Sequence, residues 1–197
     1  AQGIIGNVVI IKSVKIIKNH KFIKKEANIV LRQRDRLLIS GPNGIGKSTL
    51  LRSLVNGTSE DTMILPDTRV GYYSQDFATL DYNQTVFDSL KSVLTDGTDI
   101  QDMRSVAAGL LITGDLMGLP IASLSEGQKG LLSFARLVLM KPGLLVLDEP
   151  TNHINFRHIP VIARAINNYD GTIILISHMP DFVKAIKVNE RLDLGAL

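Results

Sequence analysis

GPNGIGKS, residues 41–48, decides how this chain is read. It follows RLLIS (36–40), a run of strand formers, and opens a helical pattern at KSTLLRSLVNG (47–57), where Gly57 is a natural stop. The spacing fits G-x-x-x-x-G-K-[ST] in a strand–loop–helix context. Glycines let consecutive backbone N–H groups turn inward with no Cβ in the way, and the helix start adds partial positive charge. Such a loop cradles a diphosphate. Lys47 can reach the β- and γ-phosphates, and the Ser48 hydroxyl can ligate Mg²⁺.

The rest of the chain follows the same alternation. GLLVLDEP (143–150) and TIILIS (172–177) are near-continuous apolar runs, as expected of parallel strands buried on both faces. Helical patterns occupy 85–112 (broken near 95–99), 126–140 and about 156–168, followed by a short helix and an end strand near 191–194. The front end reads as short strands at 8–11, 14–17 and 27–31, and RVGYYSQ (69–75) as a strand entering a loop. The layout is α/β with a parallel sheet. It divides into a core of 1–77 and 141–197 and a helical insertion of 78–140, all in one domain of 1–197.

Length and composition agree with one globular domain: 197 residues, 45% hydrophobic, 21% charged. No apolar run approaches the roughly 18–20 residues that span a bilayer, and no secretory signal is visible. Cysteine is absent, which excludes disulfides and thiolate metal sites and fits a reducing, cytoplasmic compartment. The net charge of +3 hides an asymmetry. Residues 1–36 hold six lysines and three arginines against Glu26 and Asp35. Such a basic front suits a nucleic-acid backbone, or a lysine-guarded strand edge.

Two acids end the strand LLVLD. Asp148 suits Mg²⁺, and Glu149, next along the strand and so pointing the other way, suits a general base for an attacking water. His178 follows TIILIS on the same sheet edge, where it could meet a γ-phosphate or steady Glu149. Gln75 could ligate Mg²⁺ or the water. LSEGQ (124–128) opens the helix 126–140. Ser125 and Gln128 make a capping box, which leaves Gly127 unexplained at a cost of about 1 kcal/mol against Ala. A glycine there lets something come close to the backbone N–H groups of the helix start, and a phosphate is the natural candidate.

The set GPNGIGKS, Gln75, LSEGQ, LLVLDEP and His178, in this order, resembles the ATP-binding-cassette ATPase domain over nearly the whole chain. The resemblance implies a P-loop fold with an N-terminal antiparallel β region and a helical subdomain. It implies ATP and Mg²⁺ as cofactors. Gly41, Pro42, Asn43, Gly44, Ile45, Gly46, Lys47, Ser48, Thr49 and Gln75 would hold the nucleotide. Ser48, Gln75 and Asp148 would hold the metal, with Lys47, Glu149 and His178 in catalysis. Two cassettes of that family pair head to tail, so Ser125, Gly127 and Gln128 would close on a phosphate bound to the partner.

DEPTNHIN (148–155) looks like the corresponding stretch of ABC-F proteins, which carry two cassettes, lack membrane domains and act on the ribosome. Gln75 to Leu124 leaves no space for the arm often found in their first cassette. The chain therefore resembles the second, C-terminal cassette of a ribosome- and tRNA-associated translation or antibiotic-resistance factor, without membrane insertion. The alternative is the ATPase subunit of a membrane transporter. Departures from the pattern are Glu126 in LSEGQ, Asn155 in place of Asp, and Met179 after the histidine. No aromatic lies around 16–18 to stack on adenine, and Phe22 is the nearest.

Overall fold

The computed structural model describes residues 6–74 and 76–197. The element order is β1 (Asn7–Lys18), β2 (Lys21–Arg32), β3 (Arg36–Ser40), α1 (Lys47–Asn56), β4 (Thr62–Ile64), β5 (Val70–Tyr73), α2 (Val86–Lys91), α3 (Ile100–Gly109), α4 (Gly114–Met117), α5 (Glu126–Met140), β6 (Leu144–Asp148), α6 (Ile159–Asn168), β7 (Thr172–Ile176), α7 (Pro180–Ala185) and β8 (Glu190–Asp193). Five strands form one sheet in the order β5-β6-β7-β3-β8, every pairing parallel. A second sheet, β2-β1-β4, is antiparallel. This is the mixed α/β fold expected, with its front antiparallel region.

The apolar runs are explained by burial on both faces. Leu38, Leu145, Leu147, Ile173 and Leu175 pack into one core with helices α2–α6. Their chain neighbours Leu37, Ile39, Leu144, Val146, Ile174 and Ile176 pack into the other, with α1 and the antiparallel sheet. Strand side chains alternate faces, so a strand covered on both sides needs an apolar residue at every position.

Four boundaries differ from the sequence reading. The stretches 8–11 and 14–17 are one strand, whose register shifts between Ile11 and Ser13. The bulge changes which face looks inward, so the exposed Lys12 imitates a break. β2 begins at Lys21, its lysine-rich half being strand as well. The three-residue β4 carries too short a pattern to read. Helix α6 starts at Ile159, after a 3-10 turn over Phe156–His158, with Pro160 in its first turn. Among the described residues no helix is long and apolar enough to cross a membrane.

Arg36 fastens the sheet's amino edge. Only 3% exposed, it donates to the carbonyls of Arg34 (2.6 Å), Gly171 (2.8 Å), Ile166 (2.9 Å) and Tyr169. Ile166 and Tyr169 sit at the end of α6, where orphan carbonyls need donors. Arg36→Ala removes the guanidinium donor from these carbonyls, of which Ile166 alone keeps the Tyr169 N–H, and is expected to cost about 3 kcal/mol. Urea unfolding of the variant against the parent measures it.

Candidate active site

Four carboxyl strand ends, of β3, β5, β6 and β7, converge on one cleft of about 580 Å³. After β3 comes the phosphate loop, which supplies Asn43, Gly44, Gly46, Lys47, Ser48 and Thr49 to the lining. Asp148 and Glu149 come from the end of β6, and His178 from beyond β7. A larger cavity, about 770 Å³, opens at the opposite edge between α3, α5 and α6, and contains none of the expected site residues.

The loop has the backbone its sequence requires. Gly44 and Gly46 have φ of 82° and 108°, and Gly46 immediately precedes α1. A side chain at Gly46 would be strained by that φ, although its Cβ would meet Ile17 only at an ordinary contact distance of 3.5 Å. The loop is tied to β1 by the Ile17 N–H, which donates to the Ile45 carbonyl at 2.8 Å. Lys47 donates to the carbonyls of Gly41 (2.5 Å) and Pro42 (3.1 Å). Gly41, Pro42 and Ile45 therefore shape the loop from behind and do not line the cleft.

The two acids share the cleft, which corrects the alternation argument. β6 ends at Asp148, and Glu149 takes the left-handed region at φ 51°. Strand geometry no longer applies to it, so both carboxylates border the same space. The Glu149 N–H donates to the Ile176 carbonyl at 3.0 Å, and Glu149 Oε1 lies 2.5 Å from His178 Nδ1. Of the two roles open to His178, contact with Glu149 is the one observed. Burial pushes the Glu149 carboxyl above its ordinary range, and His178 pulls against that shift.

Ser48 and Asp148 present a hydroxyl and a carboxylate to the same cleft, hard oxygen donors that fit Mg²⁺. The charge balance agrees. Asp76, Asp148 and Glu149 face Lys47 and Arg52, so a polyphosphate would meet excess negative charge without a cation. Among the described residues, the cleft included, no group of three His, Asp or Glu is placed to hold a metal, so a cation here would rest on the hydroxyl and carboxylate together with the phosphates. Gln75 lies outside the described residues.

Ser125, Gly127 and Gln128 do not line the cleft. They form the start of α5, and the capping box is present: the Gln128 N–H donates to Ser125 Oγ at 3.1 Å, and Ser125 N–H to Gln128 Oε1 at 2.9 Å. Gly127 has a reason within the chain that sequence could not give. A Cβ there would stand 3.3 Å from the His153 carbonyl oxygen. The loop after β6 packs on the first turn of α5.

The departures are also placed. Glu126 pairs with Lys129 at 3.4 Å, and Lys129 also lies over the Tyr82 ring. Asn155 Oδ1 accepts from the Arg157 N–H, capping the turn that follows. The Met179 N–H donates to Ser177 Oγ. Phe22 sits directly across from Ile17 in the β1–β2 register but lines an adjoining cavity of about 270 Å³; Ile17 itself lines the cleft. Sequence reasoning missed Ile17, Arg52, Tyr72, Ser74 and Asp76 as cleft residues. Tyr72 was readable: its neighbour Tyr73 is buried, so alternation turns Tyr72 the other way.

The raised Glu149 pKa has a signed consequence. A carboxyl whose folded pKa exceeds its unfolded value penalises the folded state once ionised. The penalty is absent below the unfolded pKa and complete above the folded one. Glu149→Gln is therefore expected to raise the ligand-free melting temperature by about 2 °C at pH 8. The gain should vanish as pH falls through the carboxyl range; thermal scans across pH measure it.

Comparison with known proteins agrees with this geometry. The model of the family described as ABC transporter matches residues 25–152. ATP-binding cassette sub-family F member 3 of Homo sapiens is 34% identical over 155 residues, covering 77% of this chain and 22% of that protein. ABC transporter F family member 5 of Arabidopsis thaliana is 33% identical over 186 residues, covering 91% and 27%. The chain thus spans less than a third of the length of the curated relatives it matches. In fold it is similar to the RNase-L inhibitor, with a TM-score of 0.72, 22% identity, and coverage of 94% of this chain and 36% of that one. With the phosphate loop and the acid pair on one cleft, the chain belongs to the ABC transporter family, as an ATP-binding-cassette ATPase domain with relatives in the F subfamily.

Proposed function

We propose that this domain is the second, C-terminal cassette of a cytoplasmic, ribosome-associated ABC-F factor in translation or antibiotic resistance, and hydrolyses Mg·ATP between paired cassettes. Residues 78–140 act as its helical subdomain. The observation that carries the pairing is spatial. Ser125, Gly127 and Gln128 form a capped helix start outside the cleft that holds Lys47, Ser48, Asp148 and Glu149. Phe156, 74% exposed just beyond the same loop, offers apolar surface for a partner. The F-subfamily relatives favour this over a membrane-transporter subunit.

In this reading the N–H groups of Asn43–Thr49 orient the phosphates, and Lys47 exchanges its bonds to Gly41 and Pro42 for phosphate oxygens. Ser48 and Asp148, with Gln75, would hold Mg²⁺, which when bound would supply charge neutralisation at the phosphoryl oxygens. Glu149 orients the attacking water and accepts its proton, for which a raised pKa is suited. His178 fixes the Glu149 carboxylate through Nδ1.

Lys47→Ala is expected to abolish nucleotide binding in titration calorimetry. Glu149→Gln should still bind Mg·ATP while phosphate release falls at least about a hundredfold. Light scattering on that variant tests the pairing. A dimer that appears only with Mg·ATP supports it, and undiminished turnover by the variant removes Glu149 from its role.

A further inference from the structure

We infer that the β1–β2 ribbon is an RNA-binding surface that grips the phosphodiester backbone. The inference rests on the ribosomal reading above and names a surface for it.

Six lysines lie along the ribbon: Lys12, Lys15 and Lys18 on β1, and Lys21, Lys24 and Lys25 on β2. Only Lys24 has an ion-pair partner among the described residues, Asp61 at 2.5 Å. Guarding a free edge explains the lysines of β2, which is the outer strand. It does not explain those of β1, the central strand. β1's other edge is occupied: it pairs with β4 at Val9–Ile11, the Lys12 N–H donates to Asp61, and the Ile17 N–H to Ile45.

The register sharpens the point. Lys15 stands opposite Lys24, and Lys18 opposite Lys21. Like charges facing across a strand pair destabilise it. Asp61 already neutralises Lys24, so it is the Lys18–Lys21 pair that suits a bridging anion. Side chains alternate, so the Lys15–Lys24 pair lies on one face and the Lys18–Lys21 pair on the other, joined by Lys25. From Lys12 to Lys18 the strand runs about 20 Å. A single small anion cannot span that length. A flat anionic membrane would meet only one face. A nucleic-acid strand, with regularly spaced phosphates, can follow both. Phe22, 64% exposed among the lysines, offers a ring on which an unpaired base can stack, which favours RNA with single-stranded segments.

The test compares the parent chain with the triple variant Lys12→Glu, Lys18→Glu, Lys25→Glu. None of these residues lines the nucleotide cleft, and Lys18→Glu places opposite charges across the ribbon. Mg·ATP affinity should therefore hold, and a cooperative thermal transition checks that the variant is folded, since Lys12→Glu stands near Asp61. Binding of a labelled RNA stem-loop is followed by anisotropy between about 50 and 200 mM KCl. The variant's Kd is expected to rise at least about tenfold, and its log Kd against log salt slope to fall by roughly two. An unchanged Kd overturns the inference, as does binding to phosphatidylserine vesicles without binding to RNA. Ribosome pelleting separates the two layers. If parent and variant pellet equally, the surface is wrong and the ribosomal reading stands. If the parent binds neither ribosomes nor RNA, both fall.

Discussion

A strand covered on both faces has only its ends to offer for chemistry, and this constraint organises the molecule. β3, β6 and β7 are adjacent, parallel and buried at nearly every position. Polar groups cannot be placed along them without losing hydrogen bonds to water. The phosphate loop, the Asp148–Glu149 pair and His178 therefore all appear where a strand stops, and because the strands are parallel and neighbouring, they stop side by side. The opposite edge meets the same constraint with structural groups. Arg36 is buried there with carbonyls as its acceptors, and it holds the start of β3 to the end of α6.

The cleft joins two sheets of different construction. The parallel sheet supplies the edge that carries the phosphate loop and the acid pair, while the antiparallel ribbon braces the loop through the Ile17–Ile45 hydrogen bond and the contact of Ile17 with Gly46. One consequence is that the ribbon supplies an aliphatic side chain, Ile17, to the cleft wall, while Phe22 remains one strand away. The loop after β6 holds two of the ten non-glycine residues with positive φ among the described residues. Glu149 and His153 both occupy the left-handed region, φ 51° and 65°, without being glycine. Such conformations persist only where the surroundings over-determine them. Here the surroundings are the Ile176 carbonyl, the His178 ring and the first turn of α5.

Much of this was legible in the residues. The phosphate loop, the buried strands and the capping box at Ser125 depend on local rules of spacing and side-chain type, and local rules can be read along a chain. What escaped depends on contacts between distant segments. Ile17 and Gly46 are far apart in sequence, as are Gly127 and His153, and Arg36 and Ile166. The face taken by Glu149 was misread because the alternation rule was carried one residue past the end of β6. The bulge in β1 misled in the same way, since it changes the inward face without changing the composition.

The contact between Gly127 and His153 links the two ends of the machinery. Glu149, at the cleft, and His153, against α5, belong to one short loop tied together by its own turns: the Asn152 N–H donates to the Glu149 carbonyl, and the Ile154 N–H to that of Thr151. Ile154 packs in the same core as Leu131 of α5, and a Cβ on Gly130 would meet its side chain at 2.9 Å. The loop is thus pinned at one end by the sheet and at the other by the helix. A side chain at Gly130 would collide with the loop and one at Gly127 would crowd it, so these two glycines in EGQKG let the first turns of α5 pack on the segment that carries Glu149.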